Sequence, residues 1–161
     1  MSSDCTVKID DGILNIRVGA IIMKDNKILM VGNDKDKFLY SVGGRIKFGE
    51  TAEEAVIREV FEETGHKLEI DRLGFVHENF FHAKFDKNTE EKKLFHEISL
   101  FFYMKTPKYF EPVCKSFSGL GNKEKLMWIS PKTDYTIYPE FFKTELTNPS
   151  ESVKHFVTDE R

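Results

Sequence analysis

The chain predicts an α/β layered fold, because apolar segments typical of strands alternate along it with two segments typical of helices. Residues 51–65 carry the start and stop signals of one helix, and β-rich segments lie on both sides of it. The 161 residues are 40% hydrophobic and 32% charged, which is ordinary for a globular protein. We therefore expect a single domain over residues 1–161 that buries a substantial core.

Turn-forming residues separate the strand segments. Asp10, Asp11 and Gly12 predict a turn between two short strands, and the Gly43 and Gly44 pair predicts another before the helix. The predicted strands span residues 13–23, 28–31, 38–42, 68–82, 94–105 and 126–129. Predicted turns and loops lie at 24–27, 33–37, 83–93 and 107–125, and a second, short helix is predicted at 139–146.

The helix at 51–65 has a recognisable cap at each end. Thr51 is followed three residues later by Glu54, the pattern of a capping box, and Gly65 is suited to a left-handed C-cap. An apolar stripe for packing on a sheet is expected from Val56, Ile57, Val60 and Phe61. On the other side, small residues are expected to leave room beside Glu59 and Glu63; they are Ala52 and Ala55.

Three carboxylates share one face of this helix. Glu62 and Glu63 lie three and four residues after Glu59, which is the spacing of neighbours on a helix surface. Glutamate-rich faces are often merely solvated, but the caps and the apolar stripe indicate a packed helix and argue against a merely solvated face here. Clustered carboxylates repel one another unless a hard cation such as Mg²⁺ or Mn²⁺ binds between them.

A set of residues at fixed spacing resembles the signature of the Nudix (MutT-like) hydrolase family: Gly44-x5-Glu50-x7-Arg58-Glu59-Val60-x-Glu62-Glu63-x-Gly65. All its fixed polar and glycine positions are present. Two positions depart from the usual pattern: His66 stands where an aliphatic residue is common, and Val42 stands where proline is common. Neither departure removes a candidate ligand.

The resemblance implies an α/β/α sandwich with a mixed β-sheet, covering roughly residues 17–146. It also implies a pyrophosphohydrolase that uses Mg²⁺, or Mn²⁺, to cleave the diphosphate linkage of a nucleoside diphosphate joined to another moiety. A bound cation would neutralise the diphosphate and lower the pKa of a bound water. The sequence does not specify which diphosphate is the substrate.

The expected metal ligands are Glu59 and Glu63, followed by Glu62. The backbone carbonyl of Gly44 resembles the ligand that the family's loop supplies. Glu50 is expected either to bind the cation or to hold Arg58, and Arg58 to hold a carboxylate in place.

A carboxylate is also expected to take a proton from the attacking water. Glu62 and Glu63 are candidates from the helix, and Glu124, just before the predicted strand at 126–129, is a candidate from a later loop. A solvated loop glutamate is an equal alternative for Glu124, since single exposed glutamates are common. Glu97 is a weaker candidate for the same role.

Substrate contacts are predicted at two places. Arg17, Arg45 and Lys47 are candidate phosphate contacts. Phe80 and Phe81 are candidates for stacking on a base or ribose, although strand alternation would send one of the two rings into the core. The spacing of His77, His82 and His96 is not that of a zinc motif, so we expect them to be polar strand residues.

The remaining composition bounds compartment and partners. Cys5 and Cys114 are too few for a disulfide framework, the first residues lack a signal sequence, and no segment is apolar enough to span a membrane, so a cytoplasmic location is expected. A net charge of −3 does not favour long nucleic acids. A homodimer is common in the family.

Two other functions are compatible with the resemblance. The first is a catalytically silent nucleotide sensor or interaction module, which would be free to lose a glutamate of the signature. The second is an isomerase acting on an isoprenoid diphosphate, which would need a placed acid-base cysteine. Both cysteines, however, fall outside the signature.

Overall fold

The protein folds as a mixed β-sheet with a helix on each face. The computed structural model describes residues 2–86, 88–113 and 123–161. The strands of the described residues are β1 (Thr6–Ile9), β2 (Gly12–Ile21), β3 (Met23–Lys24), β4 (Lys27–Asn33), β5 (Phe38–Arg45), β6 (Ile70–Lys84), β7 (Lys92–Met104), β8 (Glu124–Ile129), β9 (Thr136–Tyr138) and β10 (Lys154–Asp159). The helices are α1 (Ala52–Thr64) and α2 (Phe142–Glu145).

The sheet runs in the order β10-β6-β7-β2-β5-β4-β3, with β1 on β2, β8 on β4 and β9 on β5. The pairs β10–β6, β2–β7 and β5–β9 are parallel, and the other pairs are antiparallel. The predicted mixed sheet is therefore confirmed.

Successive residues of the central strands enter different hydrophobic clusters. Phe102 belongs to the cluster that includes Val56 and Val60 of α1, whereas Phe101 belongs to the cluster that includes Phe142 of α2. Side chains alternate across a strand, so the two helices cover opposite faces of the sheet. This arrangement confirms the α/β/α sandwich.

Both predicted caps of α1 are present. Thr51 Oγ1 accepts from the Glu54 amide, the Glu54 carboxylate accepts from the Thr51 amide, and Gly65 closes the helix with φ of 75°. Val56 and Val60 are completely buried, and burying each such side chain stabilises the fold by about 1.5–3 kcal/mol.

Two predictions about the faces of α1 were wrong. Phe61 was expected in the apolar stripe, but its side chain is half exposed and lies beside the Lys67 ammonium. Ala55 was expected beside the carboxylates, but it is completely buried in the core, and Ala52 packs against the same cluster. The buried side of the helix is therefore turned toward its small residues, which let α1 approach the sheet closely.

The Gly43 and Gly44 pair does not form the predicted turn. β5 continues through both glycines to Arg45, and they pair with Gly19 and Val18 of β2. Continuing the strand at this point carries its backbone directly along α1.

The C-terminal part differs most from expectation. The predicted helix at 139–146 is a single turn over Phe142–Glu145. β9 and β10 were not predicted at all, yet β9 pairs with β5, β10 pairs with β6, and a residue of each packs in the cluster that includes Phe142 of α2. Among the described residues, no helix has both the length and the apolar character needed to cross a bilayer.

Candidate functional site

At Gly44 the backbone of β5 lies close to a side chain of α1. A Cβ added to Gly44 would lie 2.5 Å from the carboxylate carbon and both carboxylate oxygens of Glu59. One residue earlier, the Gly43 amide donates to Glu63 Oε2 at 3.4 Å, and a Cβ at Gly43 would lie 2.2 Å from the Val18 carbonyl oxygen. Glycine at both positions lets the strand backbone reach the two carboxylates.

Arg58 organises the acidic face of α1. Its Nε and Nη2 donate to the two carboxylate oxygens of Glu50 at 2.7 and 2.9 Å. Its Nη1 donates to Glu59 Oε1 at 2.7 Å and to Glu62 Oε2 at 3.3 Å, and Nη2 also donates to the Arg45 carbonyl oxygen at 3.0 Å. A bidentate guanidinium–carboxylate pair fixes orientation as well as charge.

Glu50 holds Arg58 in this arrangement. Besides the two bonds from Arg58, its carboxylate accepts from the Lys47 amide at 2.9 Å. The hydrogen bonds from Arg58 lower the pKa of Glu50 below its usual value, with a smaller contribution from the Lys47 amide. Of the two roles expected for Glu50, its contacts match that of a partner of Arg58.

The three glutamates of α1 lie in different surroundings. Burial raises the pKa of Glu59 in spite of its bond to Arg58. Burial raises the pKa of Glu63 further, and the neighbouring carboxylates of Glu59 and Glu124 add to the effect. The side chain of Glu62 is 51% exposed. Glu59 and Glu63 therefore form a half-buried acidic pair, and Glu62 lies at its edge.

The donor set of this pair fits a hard divalent cation. Half-buried carboxylates that destabilise one another, next to a strand backbone with no side chain in the way, supply the oxygen ligands that Mg²⁺ and Mn²⁺ prefer. As the described residues are arranged, no three carboxylate, imidazole or thiol groups already converge as a complete cation site. Glu59 is turned to Arg58, and Glu62 is turned outward.

Glu124 lies close enough to Glu63 to raise its pKa. It was predicted in a loop before a strand, but it is the first residue of β8, where it pairs with Asn33 of β4. Of the two alternatives weighed for Glu124, its position beside Glu63 agrees with a residue of the site better than with a solvated loop residue.

A cavity of about 1010 Å³ opens beside the acidic pair. Its lining includes Gly43, Glu63 and Glu124 from the acidic end, and Arg17 and Glu97 from neighbouring strands. Sites for small-molecule ligands commonly have about 300–1,000 Å³. The cavity is therefore large enough for a nucleotide-sized molecule.

Arg17 and Glu97 are held together inside this cavity. Arg17 Nη1 lies 3.7 Å from Glu97 Oε1, and the same oxygen accepts from Nδ2 of the fully buried Asn15 at 3.0 Å. Glu97 is thereby anchored to β2. Arg17 is also close enough to lower the pKa of Glu59 and Glu63 slightly, so it faces the acidic pair.

Other predicted substrate contacts lie elsewhere. Arg45 and Lys47 are not among the described residues that line the cavity. The Arg45 guanidinium lies 3.4 Å from the Asp4 carboxylate, and the backbone of Lys47 pairs with that of Asp4 in an isolated antiparallel β-bridge. Arg45 and Lys47 alternate with Ile46, which predicts that they face one side of a strand, but β5 ends at Arg45 and Lys47 lies beyond it.

The two phenylalanines lie on opposite faces of β6, as strand alternation predicts, but neither ring enters the core, since both residues are only partly buried. Phe81 lines the cavity, whereas Phe80 stacks on His96 with the ring centroids 4.2 Å apart and has the Arg161 guanidinium over its ring. Only Phe81 of the pair can therefore meet a molecule in the cavity.

The histidines behave as polar strand residues. His77 is buried, its Nε2 lies 2.9 Å from Thr158 Oγ1, and burial lowers its pKa to about 4. His82 lines the cavity, and His96 Nε2 lies 3.9 Å from Glu78. Cys5 is a free thiol, and Cys114 lies outside the described residues.

Several cavity residues escaped the sequence analysis. Phe38 and Tyr40 of β5, Tyr138 of β9 and Thr158 of β10 all line the cavity. Phe38 and Tyr40 alternate with buried Leu39, which was the available signal for an exposed aromatic face. Tyr138 and Thr158 gave no such signal, since their strands were not predicted.

Comparison with known proteins agrees with this geometry. A family model described as NUDIX domain matches residues 14–132. An ADP-ribose pyrophosphatase of Methanocaldococcus jannaschii is 47% identical over 53 residues, which cover 31% of each protein. A MutT-like protein of Streptomyces ambofaciens is 34% identical over 61 residues, covering 38% of this chain and 40% of that protein.

The matches thus span about a third of the length of these curated relatives. Among solved structures, a MutT NUDIX hydrolase from Burkholderia pseudomallei aligns with a TM-score of 0.59 at 21% identity, over 85% of this chain and 98% of that one. At that identity the likeness shows the fold. The family model, which covers most of the chain and includes the whole glycine-to-glycine signature from Gly44 to Gly65, shows that the protein belongs to the NUDIX domain family.

Proposed function

We propose that the protein is a hydrolase, dependent on Mg²⁺ or Mn²⁺, that cleaves the diphosphate linkage of a nucleoside diphosphate joined to another moiety. The observation that carries the proposal is the half-buried pair Glu59 and Glu63, which lies against the bare backbone of Gly43 and Gly44. Gly43 and Glu63 also line a cavity of about 1010 Å³. The relative named for ADP-ribose makes that compound the first substrate to test.

We assign the cation to Glu59, Glu63, Glu62 and the Gly44 carbonyl. When bound, a divalent cation would neutralise the charge of the diphosphate and acidify a bound water. Arg58 holds Glu59 and Glu62 in place through its own bond to Glu50, so the carboxylates keep their orientation without a cation. Arg17 faces the acidic pair and is the one arginine or lysine among the described residues that line the cavity. We assign it to a phosphate oxygen.

The reaction needs a base for the attacking water. The water oxygen forms a bond to one phosphorus, the bridging P–O bond breaks, and the proton of the water passes to a carboxylate. We assign this proton to Glu124 or Glu63, since both line the cavity. Glu62 is the exposed alternative.

The role of Glu124 is tested by Glu124→Gln. If Glu124 takes the proton, we expect kcat to fall by about 100-fold or more while KM for ADP-ribose changes less than about threefold, the pattern of an interaction made mainly in the transition state. Glu111→Gln removes an equal charge from an exposed position outside the cavity lining and serves as the control. An unchanged kcat in Glu124→Gln would transfer the role to a glutamate of α1.

The proposed activity is tested by incubating the protein with ADP-ribose and Mg²⁺ and measuring release of AMP. Release should stop in the presence of a chelator and return when excess Mg²⁺ is added. Full activity in chelator would contradict the cation assignment. Binding of ADP-ribose without any release would favour a catalytically silent sensor instead.

A cytoplasmic location and a homodimer stay predictions. Each follows from the sequence and the family resemblance, and each can be measured directly, by fractionation of cells and by the molar mass of the purified protein in solution.

A further inference from the structure

A short row of polar side chains crosses the sheet beside the cavity. Asn15 of β2 is completely buried and is not among the described residues that line the cavity. Its Cα partners in the sheet are Thr6 of β1 and Glu97 of β7. The preceding pair on the same face of β2 and β7 is apolar, since buried Ile13 lies beside buried Phe95. Burying an amide costs free energy unless it is hydrogen-bonded, so Asn15 depends on its neighbours in the row.

Asn15 is hydrogen-bonded on both sides. Its Nδ2 donates to Glu97 Oε1 at 3.0 Å, and its Oδ1 accepts from Thr6 Oγ1 at 2.8 Å. An ionised carboxylate can only accept, so the NH₂ group of the amide must face Glu97. The amide oxygen then faces Thr6, whose hydroxyl can donate. The three side chains therefore fix one another's orientation.

The oxygen of Glu97 that Asn15 holds also faces Arg17. Arg17 Nη1 lies 3.7 Å from Glu97 Oε1, and the side chain of Glu97 is only 14% exposed. Arg17 follows Asn15 by two residues, so both lie on the same face of β2. The Cα partner of Arg17 on β7 is Ser99, and Glu97 reaches the guanidinium along the diagonal. A carboxylate that is fixed by a buried amide gives Arg17 a fixed neighbour.

We propose that Asn15 is a positioning residue, which holds the Glu97 carboxylate so that Glu97 directs the guanidinium of Arg17 toward the acidic pair. Thr6 is the outer member of the same row, because its hydroxyl keeps the Asn15 amide in the required orientation. The proposal rests on the proposed function, in which Arg17 is assigned to a phosphate oxygen. Without the Asn15 amide, Glu97 loses the contact that fixes its direction, and Arg17 becomes more mobile and less available to a phosphate.

The mobility of Arg17 can be measured without any substrate, by NMR relaxation of its Nε–Hε group. In Asn15→Val the order parameter of this group should fall by about 0.2 or more, and in Thr6→Val by about 0.1. Thr6→Ser keeps the hydroxyl and should leave the order parameter unchanged. Leu146→Ala removes a buried side chain outside the described cavity lining, so it should lower stability without changing the order parameter.

An order parameter of Arg17 that is unchanged in both Asn15→Val and Thr6→Val would overturn the proposal. Thr6 is only partly buried, so the comparison of Thr6→Val with Thr6→Ser gives a result even if Asn15→Val does not fold. Equal falls in Thr6→Val and Thr6→Ser would also overturn it, because the hydroxyl would then have no role.

Steady-state kinetics with ADP-ribose test whether the position of Arg17 matters for the reaction. In Asn15→Val, KM should rise about tenfold while kcat changes less than about twofold, because a phosphate contact that is made equally in the bound substrate and in the transition state affects binding alone. Arg17→Gln should raise KM by itself, and adding Asn15→Val to it should raise KM by less than about twofold more. The same effect of Asn15→Val in both backgrounds would show that Asn15 acts on structure and not through Arg17, and would contradict the proposal.

The two measurements separate the positioning role from the function on which it rests. If the protein does not hydrolyse ADP-ribose, the proposed function fails, while a fall of the Arg17 order parameter in Asn15→Val still supports the positioning of Arg17. If the protein hydrolyses ADP-ribose but Asn15→Val and Thr6→Val match the wild type in order parameter and KM, the function stands and the positioning role is wrong.

Discussion

At Gly44 the backbone of β5 comes so close to α1 that a single methyl group would strike a carboxylate. The added Cβ would lie 2.5 Å from Glu59, whose carboxylate is held by Arg58 at 2.7 Å. Because Glu59 is the end of a flexible side chain, a larger residue at 44 would displace the carboxylate rather than the backbone. Gly44 therefore contributes to the site by leaving space.

Gly44→Ala should lower kcat for ADP-ribose by about tenfold or more, because it moves an assigned cation ligand, while the free energy of unfolding changes by less than about 1 kcal/mol. Steady-state kinetics and urea unfolding check the two parts. Gly49→Ala is the matched control: nothing lies within 4 Å of its added Cβ, but its φ is 86°. That change should cost about 1–2 kcal/mol of stability and leave kcat unchanged. Normal turnover in Gly44→Ala would refute the role of this contact.

At the scale of elements, β10 completes the cavity and the second hydrophobic cluster together. It pairs in parallel with β6 and brings Thr158 to His77. On the other face of β10, the side chains of His155 and Val157 are exposed. The Phe156 ring stacks on Phe141 at 4.2 Å and 7°, and its centroid lies 5.8 Å from that of Phe75.

Phe156→Ala should destabilise the protein by about 2–3 kcal/mol, less than a fully buried phenylalanine because the side chain is only half-buried. Val157→Ala, on the next residue of the same strand and 55% exposed, should change stability by less than about 0.5 kcal/mol. Urea unfolding of the two variants measures both values. Equal losses would mean that β10 contributes through its backbone pairing and not through this ring.

On the scale of the whole molecule, local signals determined what the sequence could predict. The caps of α1, its carboxylate face and the long central strands were readable because each is set by residues close together in the chain. The pairing of β10 with β6 joins residues about 80 positions apart, and the four-residue α2 is too short to show a period. Tyr138 was missed for the same reason, since its place in the cavity lining depends on the pairing of β5 with β9.

Buried His77 should make the stability of the whole protein depend on pH. Its pKa is lowered from 6.5 to about 4 by burial, with a smaller effect of His155, so between these values the unfolded chain binds the extra proton. The free energy of unfolding should therefore fall as the pH is lowered from 6.5 to 4, by up to about 3 kcal/mol from this residue.

The difference between the pH profiles of the wild-type protein and His77→Gln isolates this contribution from that of the carboxylates. His82→Gln is the control, since His82 is exposed and is not among the groups that shift the pKa of His77. Parallel profiles for the wild type and His77→Gln over this pH range would show that His77 is protonated without cost in the folded state.

The central assignment is that Glu59 and Glu63 bind a divalent cation, and calorimetric titration with Mn²⁺ measures it most directly. We predict that the wild-type protein binds Mn²⁺ and that Glu59→Gln and Glu63→Gln each weaken binding by about tenfold or more. Glu53→Gln, an exposed position of the same helix, should bind normally. The unfolding free energy of the two site variants without metal should be unchanged or higher, because removing one carboxylate relieves the repulsion within the half-buried pair. Mn²⁺ affinity that is unchanged in both site variants would contradict the assignment.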